Sequence, residues 1–398
     1  METTAGSARA RIKVMHFVYS FGFGGMEVGV AKLSNAIDPA TVQVSICSGR
    51  PSETLKYRLR PEVRFFELGR RPGNDPGLIL RLARLLRRER PHILHTHGWA
   101  TLWEGLLAAR LARVPFVIHG EHGTLQLGAA RVKAQRLAWK RVDRVLSVSS
   151  RLAERMARDV GFPVERIHVI RNGVDTARLH PGHRNAARAE FGLSPGEIVL
   201  GTAGRLVPVK DQATLLRALA ILKQRGLSFT GLIAGKGPLL DELTGLAASL
   251  GLTDVRFLGN RPDVERVLAA LDVFLLTSES EGLSNTIQEA MATGVPVVAT
   301  HVGGADELVA HGVTGVLVPA KRPDALADAL EPLMTTAPLR EQMGQAGRRR
   351  AEEVFALDRM VDEYVQVYRD VAHSGAPRRR AVSAPRPKLG RSGADDRA

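Results

Sequence analysis

The stretch Glu281–Thr300, EGLSNTIQEAMATGVPVVAT, sets two carboxylates, Glu281 and Glu289, around a Gly-Leu-Ser-Asn turn that opens a helix. Asn285 is the expected N-cap, and Gln288 stands three residues on, where a capping-box partner belongs. The amides of Leu283, Ser284 and Asn285 would then face out of a positive helix end, a natural seat for phosphate. Two acidic groups beside an anion seat suit a ligand that carries both phosphates and hydroxyls, and a nucleotide sugar is such a ligand. The plainer alternative is a surface helix with two solvated glutamates ahead of a buried strand.

Other phrases carry complementary chemistry. In GRLVPVKD, Arg205 and Lys210 follow the apolar run Ile198–Ala203, so two cations sit on a loop at a strand's carboxyl end. A diphosphate would meet them through short, charge-assisted hydrogen bonds; two solvated loop cations are the alternative. Gly235 and Gly237, in AGKGP, would let the backbone approach a nucleotide closely. GFGGMEVGV (Gly22–Val30) enters a helix after the first apolar run, and Gly24 and Gly25 allow a tight turn and an anion-binding helix start. Its glycine spacing is not that of the dinucleotide fingerprint, and no acidic residue ends a second strand, which argues against a nicotinamide-dependent dehydrogenase.

Histidines cluster in His92-x-x-His95-x-His97 and His119-Gly-Glu-His122. His95 and His97 would share a strand face and could chelate together, and His119 and His122 could approach one another. No cysteine or further preset ligand joins either pair in sequence, so no metal site is expected. Structural side chains at strand ends are the competing account of each histidine.

The elements that must position these residues are legible as two series. Apolar runs at Lys13–Tyr19, Val42–Cys47, Ile93–His95, Phe116–His119, Val145–Ser149 and His168–Ile170 alternate with helical stretches at Glu27–Ala36, Gly77–Arg88, Leu102–Leu111, Ala130–Lys140 and Leu152–Asp159. IRNGVDTARLHPG (Ile170–Gly182) breaks the pattern. A second series then runs through Ile198–Ala203, Thr230–Ala234, Val255–Leu258, Val273–Leu276, Val295–Ala299 and Gly315–Val318. Such alternation predicts parallel, doubly wound α/β sheets. Two Rossmann-like domains would face each other across a cleft at the carboxyl ends of the strands, where ligands bind in open sheets. The expected divisions are a first domain over 11–175, a second over 185–355, a helix over 356–373 and a disordered basic tail over 374–398, after a short disordered lead over 1–10.

Composition agrees with two aliphatic cores: 398 residues, 44% hydrophobic, 5% aromatic. The single cysteine, Cys47, lies in an apolar run and reads as a buried thiol in a reducing compartment. No run approaches the ~20 apolar residues of a membrane span. The net charge of +15 calls for an explanation. No zinc-finger spacing or aromatic RNA-binding strand supports nucleic acid. An anionic membrane surface and a plain arginine-rich composition both remain open.

GTAGRLVPVKD, LIAGKGPLLDEL, VRFLGNRPDV and LDVFLLTSES, taken with the E-x7-E element Glu281–Glu289, resemble the C-terminal half of retaining, nucleotide-sugar-dependent GT-B glycosyltransferases of family 4 (glycosyl transferases group 1). Gly24-Gly25-Met26-Glu27 resembles that family's GG-x-E element, and VIHGEHG and FGFGGMEVGV look like its exopolysaccharide-associated sugar transferases. The resemblance covers residues 12–370. It implies that the last helix crosses back to the N-terminal domain and that Arg205 and Lys210 hold the donor diphosphate. Glu289 would bind the ribose hydroxyls, Glu281 would lie nearer the transferred sugar, and Arg261 would sit where the base is met by main chain. His122, with His97 and Glu121 as lesser candidates, would be the strand-end group beside the reacting sugar. It also implies a metal-independent, front-face transfer with retention, UDP as the commonest donor base, a glycan or lipid-linked acceptor, and a cytoplasmic or peripheral location. Two alternatives stand beside it: an epimerase on the same architecture, and a non-catalytic nucleotide-sugar-binding protein.

Overall fold

The protein is described here from a computed structural model, which describes residues 11–22, 24–52, 55–123 and 128–374. The lead over 1–10 and the tail expected over 374–398 therefore lie, apart from Ser374, outside the described residues.

The first series forms a seven-stranded, all-parallel sheet of order β3-β2-β1-β4-β5-β6-β7. Its strands are β1 (Ile12–Val18), β2 (Val42–Ser48), β3 (Arg64–Glu67), β4 (Ile93–His97), β5 (Phe116–Glu121), β6 (Arg144–Ser147) and β7 (Ile167–Val169). Its helices are α1 (Gly25–Ala36), α2 (Gly77–Glu89), α3 (Trp99–Ala112), α4 (Ala129–Trp139) and α5 (Ser150–Val160). β3 was not legible: RFFE is a four-residue edge strand between charged ends, with no face fully buried. Connections from β3 to β7 all step in one direction, so right-handed crossovers put α2 to α5 on one face. The step from β1 to β2 runs the other way, which places α1 on the opposite face.

The second series forms a six-stranded, all-parallel sheet of order β10-β9-β8-β11-β12-β13. It comprises β8 (Val199–Ala203), β9 (Thr230–Ala234), β10 (Val255–Gly259), β11 (Val273–Leu276), β12 (Val297–Thr300) and β13 (Gly315–Val318). Around it pack α6 (Arg184–Glu190), α7 (Gln212–Gln224), α8 (Leu240–Ser249), α9 (Val264–Ala270), α10 (Asn285–Ala292), the single turn α11 (Ala305–Leu308), α12 (Pro323–Thr335) and α13 (Ala337–Val354). β12 starts two residues later than the apolar run, because Pro296 has no N–H to give a ladder; its carbonyl instead accepts from Phe274 N at 2.9 Å.

The chain crosses between domains twice, and the crossings zip together. Val174 N donates to Phe355 O at 2.8 Å, and Leu357 N to Val174 O at 3.0 Å. The last helix, α14 (Leu357–His373), then lays Met360, Tyr364 and Tyr368 into the N-terminal core beside Ile12, Val14 and Leu33. Among the described residues, no helix is long and apolar enough to cross a membrane.

Candidate active site

Each sheet points its carboxyl edge at the other. On the C-terminal side, the loop after β8 carries Arg205 and Lys210, and the loop after β11 carries Ser278 and Glu281. The loops are laced together: Glu279 N donates to Val209 O at 2.8 Å, and Thr277 Oγ1 to Lys210 O at 3.0 Å. The Lys210 ammonium pairs with Glu281 Oε1, which also accepts from Ser278 Oγ at 2.6 Å. Asp211 adopts φ +44° and caps α7 through Thr214, which turns the chain so that Lys210 faces the cleft loop. Arg205 is exposed, and its guanidinium makes no hydrogen bond or ion pair among the described residues.

The glycines of AGKGP serve a closer neighbour than a nucleotide. Gly235 sits at φ +146°, and a Cβ there would lie 1.8 Å from Gly204 O; one on Gly237 would lie 2.1 Å from Leu206 O. They let the loop after β9 pack backbone to backbone on the loop that presents Arg205. Arg261 is not free to read a ligand with its side chain, being paired with Glu190 at 2.7 Å and Asp263 at 2.6 Å.

The cap of α10 is Ser284, not Asn285. Ser284 is extended and accepts from Ile287 N at 3.4 Å, the geometry a cap requires. Asn285 is the first helical residue, and its Nδ2 donates to Gly25 O at 3.0 Å. Gln288 forms no capping box; its Nε2 reaches across the domains to Asn172 O at 2.6 Å. The N–H groups of Leu283, Ser284 and Asn285 have no backbone acceptor among the described residues, the condition an anion seat at this helix start requires.

The N-terminal domain brings α1 against this helix end. Gly24 is the extended N-cap of α1. A Cβ on it would meet Glu27 Oε2 at 2.2 Å, so the Glu27 carboxylate folds back over its own helix start. Burial pushes the Glu27 carboxyl up from its usual range, opposed by the charge of Arg205. Glu289, 6% exposed, is held by Lys32 of α1 at 2.8 Å. Nothing in sequence signals that contact: the partners are 257 positions apart.

His122, just past β5, lies on the opposite wall. Its carbonyl is so close to Gly282 that a Cβ there would approach to 2.4 Å. His122 Nε2 is 2.9 Å from His97 Nδ1, and His97 Nε2 is 2.8 Å from His16 Nδ1, a chain of three rings leading inward from the cleft. Burial, and then its neighbour His119, lower the His122 pKa to about 4. Burial, and then His122, lower that of His16 to about 3, and burial sends His95 and His97 well below the usual imidazole range. These rings are therefore neutral near pH 7. His95 Nδ1 meets Tyr368 OH of α14 at 3.0 Å.

Two sequence pairings change. His119 does not meet His122 by hydrogen bond; it turns to Thr96 at 2.8 Å and to Glu121 at 2.9 Å. Glu121, 3% exposed, also takes Gln135 at 2.9 Å and so faces the interior rather than the reacting centre. Strand alternation sends neighbouring side chains to opposite faces, and β5 runs two residues further than its apolar pattern suggested. His16 was missed, although a histidine set between Met15 and Phe17 in the apolar run VMHFVYSF is a visible signal. Among the described residues, His16, His95 and His97 offer nitrogens within 4.8 Å of one another, a grouping that could hold a metal ion. Both His97 nitrogens are already spent on neighbouring rings, so a metal using His97 would break one of those bonds.

Comparisons with known proteins agree with this architecture. Residues 183–350 match the family described as Glycosyl transferases group 1, and residues 23–178 match Glycosyltransferase Family 4. The D-inositol 3-phosphate glycosyltransferase of Rhodococcus erythropolis is 34% identical over 387 residues, spanning 88% of this chain and 87% of that protein. That of Actinosynnema mirum is 32% identical over 386 residues, spanning 87% of this chain and 92% of that protein. Among solved structures, HepE of Anabaena in complex with UDP and glucose superposes with a TM-score of 0.80 at 22% identity, over 90% of this chain and 99% of that one. On the matched families and the relatives that span nearly the whole chain, this protein belongs to the group 1 glycosyltransferases with a family 4 N-terminal domain, and it is a glycosyltransferase of the GT-B fold.

Proposed function

We propose that the enzyme transfers a sugar from a nucleotide-sugar donor, UDP-linked in the leading reading, with retention, to a glycan or lipid-linked acceptor in exopolysaccharide or cell-surface polysaccharide synthesis. The observation that carries the donor reading is the convergence of Arg205, Lys210 and the α10 amides with the carboxylates Glu281 and Glu289 at one cleft. In this reading Arg205, Lys210 and the α10 N-terminus take the diphosphate and offset charge on the leaving nucleotide, so no metal is required. Glu289 exchanges Lys32 for the ribose hydroxyls. Gly24 and Gly25 let the α1 start approach the donor, and Gly235 keeps the neighbouring loop in register. Glu281 and the neutral His122 orient sugar hydroxyls, and the leaving phosphate oxygen takes the acceptor proton while the acceptor attacks from the same face. The site belongs to the cytoplasmic side of the membrane, where nucleotide sugars and lipid-linked acceptors meet.

A second acceptor reading rests on the curated relatives, which are named for D-inositol 3-phosphate. In it the acceptor is a small phosphorylated polyol, and the arginine-rich N-terminal domain supplies the phosphate contacts. Thermal-shift binding against UDP-, GDP-, ADP- and dTDP-sugars, with and without chelator, tests the donor. Stabilisation by one nucleotide class, unchanged by chelator, is expected; stabilisation that vanishes with chelator would overturn metal independence. Product analysis with inositol 3-phosphate against lipid-linked glycan extracts then decides the acceptor.

A further inference from the structure

The charge of this chain is unevenly placed. Residues 11–175 hold 28 Lys and Arg against 14 Asp and Glu, whereas residues 185–355 hold 16 against 20. An arginine-rich composition would load both domains alike, so it does not account for the excess.

The excess is densest on one layer, where α2, α3 and α4 together hold 8 Lys and Arg against 2 Glu. On α2, α3 and α4 the only acidic residues are Glu89 and Glu104, neither exposed and both ion-paired, to Arg64 and Arg70 respectively. Arg84, Arg110, Arg131 and Lys133 are exposed there and hold no ion pair among the described residues. Interleaved with them stand Leu80, Leu107, Leu111 and Leu137, each 43–52% exposed. The three helices are neighbours, and Arg87 of α2 reaches Leu111 O of α3 at 2.8 Å. Cations alone would be ordinary solvated helix faces. Large apolar side chains set among unpaired cations, with no exposed acid, are the pattern of a surface that meets both headgroup charge and acyl chain.

We propose that the outer face of the α2–α3–α4 layer is a docking surface for an anionic lipid membrane. The inference rests on the membrane-side location given above, and it identifies the face that makes the contact. The leucines would enter the headgroup boundary while the cations meet lipid phosphates. This face lies outside the cleft residues, so docking would leave the donor site open. RNA would satisfy the charges but give the leucines no partner.

The test is co-sedimentation of the full chain with vesicles of phosphatidylcholine alone or mixed with phosphatidylglycerol. Binding to the anionic vesicles only, weakening with salt, is expected. Each cation removed should weaken binding by about fivefold, so the triple variant Arg84→Gln/Arg110→Gln/Arg131→Gln should lose roughly a hundredfold. Leu107→Ser/Leu111→Ser should weaken it independently. Both variants should keep the wild-type melting temperature and nucleotide-sugar stabilisation, which separates loss of docking from misfolding and from failure of the donor reading. Three results would each overturn the proposal: vesicle binding unchanged in both variants, vesicle binding lost only on truncation after Ser374, or retention of single-stranded RNA in place of anionic vesicles.

Discussion

At the strand ends of the C-terminal domain the candidate groups are charged and paired in opposite sign, Lys210 with Glu281 and, across the cleft, Lys32 with Glu289. At those of the N-terminal domain they are neutral imidazoles, joined ring to ring from His16 through His97 to His122. The sheet plan is the same, and the chemistry of the edge is not. A polyanion needs cations that can be handed over from an internal carboxylate, and half-buried ion pairs supply them without leaving a bare charge when no ligand is bound. A sugar hydroxyl needs direction rather than charge, and a buried neutral imidazole fixed by its neighbour supplies that.

The contrast sets the order of the expected losses. Lys210→Ala removes a cation proposed for the donor diphosphate and strands Glu281, so the rate of sugar transfer should fall by about 10²–10³-fold with the fold intact. Arg205→Ala should follow it closely. Full activity in both would undo the division of labour between the domains, and steady-state transfer with the preferred donor measures it. His122→Asn should cost less, about 10–100-fold, because it removes orientation rather than charge. If His122→Asn proves worse than Lys210→Ala, the imidazole wall does more than direct hydroxyls.

Stability should separate the domains by pH. The His16 and His122 pKa values are lowered in the folded state, to about 3 and about 4, so between those values and the unfolded value near 6.5 the unfolded chain binds more protons. Their contribution is therefore complete above about pH 6.5 and is lost as the pH falls toward 4. The melting temperature should drop through that window, and His97→Asn, which removes a third imidazole that burial holds well below its usual range, should make the drop shallower. An unchanged profile would mean the rings do not titrate as a buried group. Gly235→Ala, by contrast, should destabilise at every pH by about 2 kcal/mol or more, because its backbone conformation and the Gly204 carbonyl leave no room for a Cβ. Chemical denaturation would detect it.

The smallest expected effect sharpens the comparison most. Lys32→Met releases Glu289 from its N-terminal partner. If the ribose must displace Lys32, the variant should bind donor a few-fold more tightly, by about 0.5–1 kcal/mol. Weaker donor binding in isothermal titration would place Lys32 among the donor contacts instead.

Twelve of the thirteen strands, and the helices between the strands of the first series, were readable as apolar runs and helical periods, because burial on both faces of a parallel sheet imposes a local pattern. β3, on an edge and only four residues long, had no such pattern to show. Arg205, Lys210 and Glu281 could be picked out because each stands in a loop beyond a buried strand, and Glu289 because it follows Glu281 in the E-x7-E spacing, one turn into α10. The cap of α10 was misread by one residue, since Ser284 and Asn285 have similar capping preferences and only the backbone decides between them.

By itself the sequence determined the two-sheet plan, the strand-end loops and the residue types placed on them, all of which follow from local periodicity and turn chemistry. Only the tertiary structure decided who meets whom. Lys32 finds Glu289, Gln288 finds Asn172, Glu121 turns inward, and His16 joins His97 from another strand. Those contacts depend on strand order and on how two domains close, which no local pattern encodes, because their energies arise only after burial has removed water from both partners.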